Sequence, residues 1–294
     1  MAQMSNAQRV TRAVEAYYDS KDAHAFYLHI WGGEDIHIGL YESATDTIAD
    51  ASRRTVATMA DRIVTRLDET HSVLDIGSGF GGAARYLAKR FACHVVCLNI
   101  SEVENERNRA TNRERGVGHL ISVRHGDFEH IPAEDASFDL VWSQDAILHS
   151  ADRERVIAEV SRVLKPGGEF LFTDPLQADD IPPNALRAVY DRIHLDSLAS
   201  AEFYRATAMR HGLAEISIQL SPHHLLSHYG AVQAQLKARY REMIDVASRE
   251  YVDRMLVGLQ NWVEAAEIGY LDWGILHFQK RCAAARTASA DPIS

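Results

Sequence analysis

From Ser72 the chain runs Ser-Val-Leu-Asp-Ile and then turns through Gly77-Ser-Gly-Phe-Gly-Gly82, four glycines in six residues. The apolar run reads as a buried strand, and Ala83–Phe91 reads as the helix that follows. Glycines at such a turn let backbone approach a ligand closely, and the helix N-terminus offers amide donors and positive dipole to an anionic group. Gly77, Gly79 and Gly82 also satisfy G-x-G-x-x-G, the dinucleotide fingerprint, so the run alone leaves a nicotinamide cofactor open. A tight strand–helix turn without any ligand would use the same residues.

The run opens a region in which short apolar strands alternate with helices. Strands are read at 72–77, 94–100, 121–127, 138–144 and 168–174, with helices around 82–91, 102–115 and 152–164, the last closed by Lys165-Pro-Gly-Gly168. That alternation predicts βαβ units and a parallel sheet covered on both faces. Upstream, residues 1–30 read helical with an interruption at Asp19–Asp22, and Thr47 to Leu67 carries an amphipathic stripe. Downstream come a helical insertion at roughly 183–211, strands at 214–220 and 273–280, and one long helical segment over 231–263. The tail 283–294 is small and polar and is expected to fray.

Composition narrows the class further. Apolar residues at 46% and charged residues at 24% are ordinary for a globular chain. Thirty-one basic against forty-one acidic residues gives a net charge of −10, which argues against nucleic acid and against a polybasic membrane anchor. Three cysteines (Cys93, Cys97, Cys282) suit a reducing compartment, and no run is long enough to span a bilayer. A cytoplasmic location is expected. The His223-His224…His228 cluster lacks matching cysteine or carboxylate spacing, so no metal is expected.

Further residues break the tie at the glycine loop. Asp75 precedes Gly77 by two, giving D-x-G-x-G; Gly126-Asp-Phe128 ends the third strand; and Trp273-Gly-Ile-Leu lies in a last strand that follows a long helix. With these the chain resembles the class I S-adenosylmethionine-dependent methyltransferases. The resemblance implies an α/β fold, a Rossmann-like sheet, mostly parallel with one antiparallel edge strand, plus an N-terminal helical cap and a helical insertion. Residues 1–70 would form the cap and substrate lid, and 71–282 the S-adenosylmethionine-binding domain, with helical insertions at about 176–213 and 225–268. It also implies a cofactor set of His37, Ile38, Asp75, Gly77, Gly79, Asn99, Ile100, Asp127, Phe128, Ser143 and Gln144. Asn99 stands where that family usually carries Asp or Glu. Asn keeps an acceptor and a donor for ribose hydroxyls but loses the charge.

Two segments are more specific. Tyr17 to Tyr41 holds six aromatics in 25 positions against 8% in the whole chain, and Val141-Trp-Ser-Gln-Asp-Ala-Ile-Leu-His-Ser150 leaves the fourth strand at the sheet's carboxyl edge. With Leu98-Asn-Ile-Ser101, Phe172-Thr-Asp-Pro175 and Leu271-Asp-Trp-Gly-Ile-Leu-His277 they resemble the sarcosine/dimethylglycine N-methyltransferases, which make glycine betaine. Methyl transfer needs a positioned, desolvated, neutral amine and yields a cation that aromatic faces stabilise. Tyr18, Tyr27 and Trp31 are the aromatic candidates; as large aromatics they also suit the core of a helical cap. The arrangement also resembles the phosphoethanolamine-type enzymes, which implies that Tyr18 and His149 latch over the substrate with Asp145 near the amine. A substrate carboxylate needs an anchor, for which Gln144, Arg192, His194 and Tyr229 are candidates. The expected partner is a small amine, sarcosine or dimethylglycine, bound by a monomer or homodimer. Phosphoethanolamine as acceptor, or an NAD-linked oxidoreductase, are the alternatives.

Overall fold

The computed structural model describes residues 6–192, 195 and 197–282. Seven strands form one sheet: β1 (Ser72–Ile76), β2 (His94–Asn99), β3 (Ile121–His125), β4 (Phe138–Gln144), β5 (Leu164–Gln177), β6 (Leu213–Leu220) and β7 (Leu271–Lys280). Their order is β3-β2-β1-β4-β5-β7-β6, and β7 alone runs against the rest, one place in from the β6 edge. This is the mostly parallel α/β sheet that the strand–helix alternation predicts. The order reverses between β1 and β4, and open α/β sheets bind ligands at the carboxyl ends of the strands beside such a reversal. The glycine run leaves β1 there and Asp145 leaves β4 there.

Helices α1 (Asn6–Tyr18), α2 (Lys21–Phe26) and α3 (Ile48–Ala60) precede the sheet, and α2 continues into a widened turn over Tyr27–Trp31. Ser20 caps α2, its Oγ accepting from the Ala23 amide at 3.2 Å, so the break near Asp19–Asp22 is a true helix start. The apolar stripe read through Leu67 outruns α3. Glu169, fully buried on β5, accepts from the Val64 and Thr65 amides at 3.0 and 2.5 Å, which takes those backbone groups out of a helical ladder. Between strands lie α4 (Gly82–Phe91), α5 (Glu102–Glu114) and α6 (Arg153–Val163). Buried Arg85 of α4 reaches Asn108 and Asn112 of α5, a polar seam between helices where apolar packing is usual.

The insertion after β5 holds α7 (Arg187–Arg192) and α8 (Ala201–Arg210). The segment read as one long helix is instead α9 (Pro222–Ala238), α10 (Tyr240–Val246) and α11 (Arg249–Ile268). Arg239 leaves helical geometry and bonds the His29 carbonyl, and Ser248 starts α11 by accepting from the Tyr251 amide while its own amide donates to Asp22. Both breaks are therefore made by tertiary contacts to the N-terminal segment. That segment shares one hydrophobic cluster with α9, α11 and β7 through Phe26, Trp31, Tyr229, Trp262 and Trp273. Among the described residues no helix is long and apolar enough to cross a membrane. The expectation for 283–294 lies outside the described residues.

Candidate functional site

The chain at Gly77 must turn sharply while lying against the β4 loop. Gly77 has φ +71°, and a Cβ there would sit 2.3 Å from the Ala146 Cβ. Its amide donates to the Leu98 carbonyl at 2.8 Å, which pins the loop to β2. The result is a cleft lined by Gly77, Gly79, Asn99, Ile100, Asp127, Phe128, Gln144 and Asp145, with Thr11 and Val14 of α1 forming one wall. At its inner end Asp75, Asp35, His37, Ser78 and Gln144 come together around the glycine turn.

Several polar atoms at that end are buried without a protein partner: Asp75 Oδ2, Asp35 Oδ1, Ser78 Oγ and Gln144 Nε2. Native interiors rarely leave such groups unpaired, so carboxylate acceptors beside an amide donor mark a place for a polar ligand. The set fits the α-ammonium and α-carboxylate of an amino-acid moiety. Burial, with Asp35 nearby, pushes the Asp75 carboxyl up to about 8, and a ligand ammonium bound beside it would draw it back toward the carboxylate form.

At the opposite end the structure supplies a group that the sequence reading missed. Asn99 Nδ2 donates to Glu104 Oε2 at 2.9 Å, and both residues line the cleft. Burial raises the Glu104 carboxyl to about 7. The acid absent from the end of β2 is thus present five residues later, one turn into α5. It falls inside the helix read over 102–115, and nothing in the periodicity points it inward.

A second, smaller chamber adjoins the cleft, lined by Tyr18, Tyr27, Trp31, Tyr229, Ile36, His37, Ile38, Asp145, Leu148, His149 and Pro175. The Tyr18 hydroxyl lies 2.9 Å from His149 Nε2. Tyr18 stacks on Tyr27 with centroids 5.5 Å apart, and Trp31 meets both Tyr27 and Tyr229 within 5.9 Å. The aromatics do pack on one another, as core residues would, yet one face of the group stays turned to a cavity. Among the described residues the lining holds no Lys or Arg.

The roof of this chamber is a strap, residues 36–41, held by bonds from distant parts of the chain. The Ile38 amide donates to Asp145 Oδ2 at 2.6 Å, the Gly39 amide to His228 Nδ1 at 3.1 Å, and the Tyr41 amide to His224 Nδ1 at 3.1 Å. The histidine cluster of α9 is therefore a strap clamp. Accepting at Nδ1 requires unprotonated nitrogens there, and burial, followed by the neighbouring His223 and Arg54, holds the His224 imidazole down at about 4.

Asp145 has φ +49°, a region that non-glycine residues seldom adopt, and its other oxygen accepts from Trp273 Nε1 at 2.8 Å. Behind it Asp174 accepts from the Leu148 amide at 3.1 Å and from the Tyr204 hydroxyl at 2.6 Å, fixing the short turn that carries His149.

Most of the expected site residues meet here, with some changes of place. Tyr18, Tyr27, Trp31, Asp145, His149 and Tyr229 gather at the chamber. Ser143 does not reach the cleft: its buried hydroxyl donates to the Ile76 carbonyl at 2.9 Å and supports the loop from below. Ile38 faces the chamber, and its amide and carbonyl are both spent on protein partners, Asp145 and Thr55. Gln144 stands on the cofactor side, its Oε1 accepting from Trp142 Nε1 at 3.1 Å. The Arg192 side chain and His194 fall outside the described residues.

Comparison with known proteins gives concordant matches. A family model for a methyltransferase domain matches residues 74–172. The sarcosine/dimethylglycine N-methyltransferase of Halorhodospira halochloris is 52% identical over 264 residues, covering 90% of this chain and 94% of that protein. The sarcosine/dimethylglycine N-methyltransferase of Aphanothece halophytica is 48% identical, covering 94% and 100%. A crystal structure assigned as a sarcosine dimethylglycine methyltransferase from Galdieria sulphuraria superposes with a TM-score of 0.86 at 40% identity, covering 91% of this chain and all of that one.

Proposed function

The chain belongs to the sarcosine/dimethylglycine N-methyltransferase family, and we propose that it methylates sarcosine and dimethylglycine in turn to form glycine betaine. Bound S-adenosylmethionine supplies the methyl group on a positively charged sulfur and leaves as S-adenosylhomocysteine. In this reading Asp75, Gln144 and the glycine-loop backbone hold the cofactor's amino-acid end. Asn99 and Glu104 take the ribose hydroxyls, and Ile100, Asp127 and Phe128 border the base.

The observation that carries the reading is the Tyr18–His149 contact at 2.9 Å across an aromatic chamber that opens into the glycine-loop cleft. Tyr18, Tyr27, Trp31 and Tyr229 present π faces to the amine. Such faces favour a methylated cation by about 0.5–2 kcal/mol each, depending on desolvation. The same wall desolvates a primary ammonium with three N–H donors at a loss, so glycine is a poor substrate.

An ammonium cannot attack, and the latch removes its proton. The Tyr18 oxygen receives the N–H proton as the tyrosine's own proton passes to His149 Nε2, leaving the amine lone pair free. Asp145 acts on the strap: both its oxygens hold protein donors, one of them the Ile38 amide. A methyl-transfer assay over glycine, sarcosine, dimethylglycine and phosphoethanolamine, read by product mass, tests the reading. Glycine betaine from both methylated glycines supports it; turnover of phosphoethanolamine alone overturns it.

A further inference from the structure

A carboxylate enters the chamber with every sarcosine or dimethylglycine, and the described lining offers it no Lys or Arg. An anion moved out of water needs a strong donor in that place. The Tyr18 hydroxyl faces His149 and the Trp31 indole N–H donates to the His37 carbonyl at 3.3 Å, so both are engaged elsewhere.

His37 stands differently. It is 5% exposed and borders both the chamber and the inner end of the cleft. Its Nδ1 lies 3.2 Å from the Ile38 carbonyl, an acceptor only, so Nδ1 carries a proton. Its Nε2 is buried without a protein partner. The backbone beneath it is tightly fixed: the His37 carbonyl also accepts from Ser52 Oγ at 2.9 Å, the Ile38 carbonyl accepts from Thr55 Oγ1 at 2.9 Å, and the Ile38 amide is held by Asp145. A rigid mount with a single unused ring nitrogen is how a protein presents a ligand contact.

We propose that His37 Nε2 holds the carboxylate of the N-methylated amino-acid substrate, an inference that rests on the acceptor reading above. With both ring nitrogens protonated, Nδ1 donates to the Ile38 carbonyl and Nε2 to the substrate oxygen. The Asp145 carboxylate next to the strap compensates the ring's charge. His37 and His149 line the same chamber, so holding the carboxylate at one turns the nitrogen toward the Tyr18 latch at the other. Selection of amino acids over amino alcohols follows from this one contact.

The test is steady-state kinetics of His37→Ala and His37→Gln with dimethylglycine and with dimethylaminoethanol, which has a hydroxyl in place of the carboxylate. Calorimetric binding of S-adenosylhomocysteine is measured alongside. Loss of a charge-assisted bond should raise KM for dimethylglycine by about 10–100-fold in the Ala variant, with kcat and homocysteine-cofactor affinity within a few-fold. Preference for dimethylglycine over the alcohol should collapse by the same factor, and Gln, which keeps a donor, should recover part of it.

Unchanged KM overturns the proposal. So does a fall in kcat alone, which makes the ring a proton acceptor, or a matching loss of S-adenosylhomocysteine binding, which assigns it to the cofactor. Retained S-adenosylhomocysteine binding shows that a variant is folded. Wild-type protein inert toward dimethylglycine would break the acceptor reading before any variant is made.

Discussion

The cleft behind the glycine loop and the chamber under the strap share Tyr18, Ile36, Asp145 and His149, yet they are assembled on different scales. On the cleft side the defining bonds are short in sequence: Gly77 to the Leu98 carbonyl, Asn99 to Glu104 five positions on. On the chamber side they are long. Tyr18 meets His149 across 131 positions, Ile38 meets Asp145 across 107, Tyr41 meets His224 across 183 and Gly39 meets His228 across 189. A site made of local bonds is a property of one βα unit, and many chains can carry it. A site made of distant bonds is a property of the whole fold, and it is on that side that we place the acceptor.

Separate damage to the two sides is the sharpest way to probe that contrast. The largest effect is expected at the latch. Tyr18→Phe keeps the ring and removes the hydroxyl, so kcat should fall by about 10–1000-fold while cofactor affinity stays within a few-fold. His149→Ala should cost a similar factor. The double variant should add little, because groups acting as a unit are not additive; two small independent effects at saturating dimethylglycine would remove the latch.

The converse damage is Gly77→Ala. Its Cβ meets Ala146 and its φ is left-handed, so S-adenosylhomocysteine should bind about 10–100-fold more weakly by calorimetry. Unaltered binding would show that the loop does not cradle the cofactor. Smaller still is Glu104→Gln, which keeps the bond to Asn99 but removes the charge. A loss of roughly three- to tenfold in cofactor affinity is expected, with KM for dimethylglycine unmoved.

The least effect is in pH, and there the buried carboxyls of the cleft and the histidine on the strap have opposite signs. In the cleft, burial places Asp75 at about 8 and Glu104 at about 7, above their ordinary values, so the folded protein binds those protons more tightly than the unfolded chain. Stability from these groups is full at low pH and declines as pH rises toward 8. On the strap, His224 at about 4 lies below its ordinary 6.5, so its contribution is lost as pH falls from 6.5 toward 4. Thermal melting of the unliganded protein should therefore rise by a few degrees from pH 8.5 to 6.5 and go on rising toward pH 5, the gain from the two carboxyls there being offset in part by the single proton that His224 takes up on unfolding. Melting curves of wild type and His224→Gln that run parallel below pH 6.5 would contradict the His224 clamp. His224→Gln should steepen the rise below pH 6.5.

What could be read from the sequence divides along the same line. Strands β1 to β4 and helices α4 to α6 fall within about two residues of their expected bounds, because hydrophobic period and glycine turns are local signals. β5 was read as 168–174 but runs Leu164–Gln177, since pairing with β7 carries it on to Gln177 opposite Leu271. The stripe through Val64 and Leu67 looked helical, and only Glu169, a hundred residues away, ends the helix early. Tyr18 and His149 were paired through resemblance to a family, and no spacing in the chain would have joined them. Glu104, and the role of His224 and His228 as clamps, were invisible for the same reason: their partners lie in another layer.

The bond from Trp273 to Asp145 has a consequence in time. A ribosome delivers residues 17–41, the aromatic wall and its strap, near the start of synthesis, but His224, His228 and Trp273 leave it close to the end. Through most of its synthesis the nascent chain has a glycine loop able to fold and an exposed run of tyrosines and tryptophan with nothing yet to close on. The chamber is completed only when the last strand threads between two neighbours already made, so a chain released before residue 273 carries the cofactor half of the enzyme and an open, adhesive surface in place of the other.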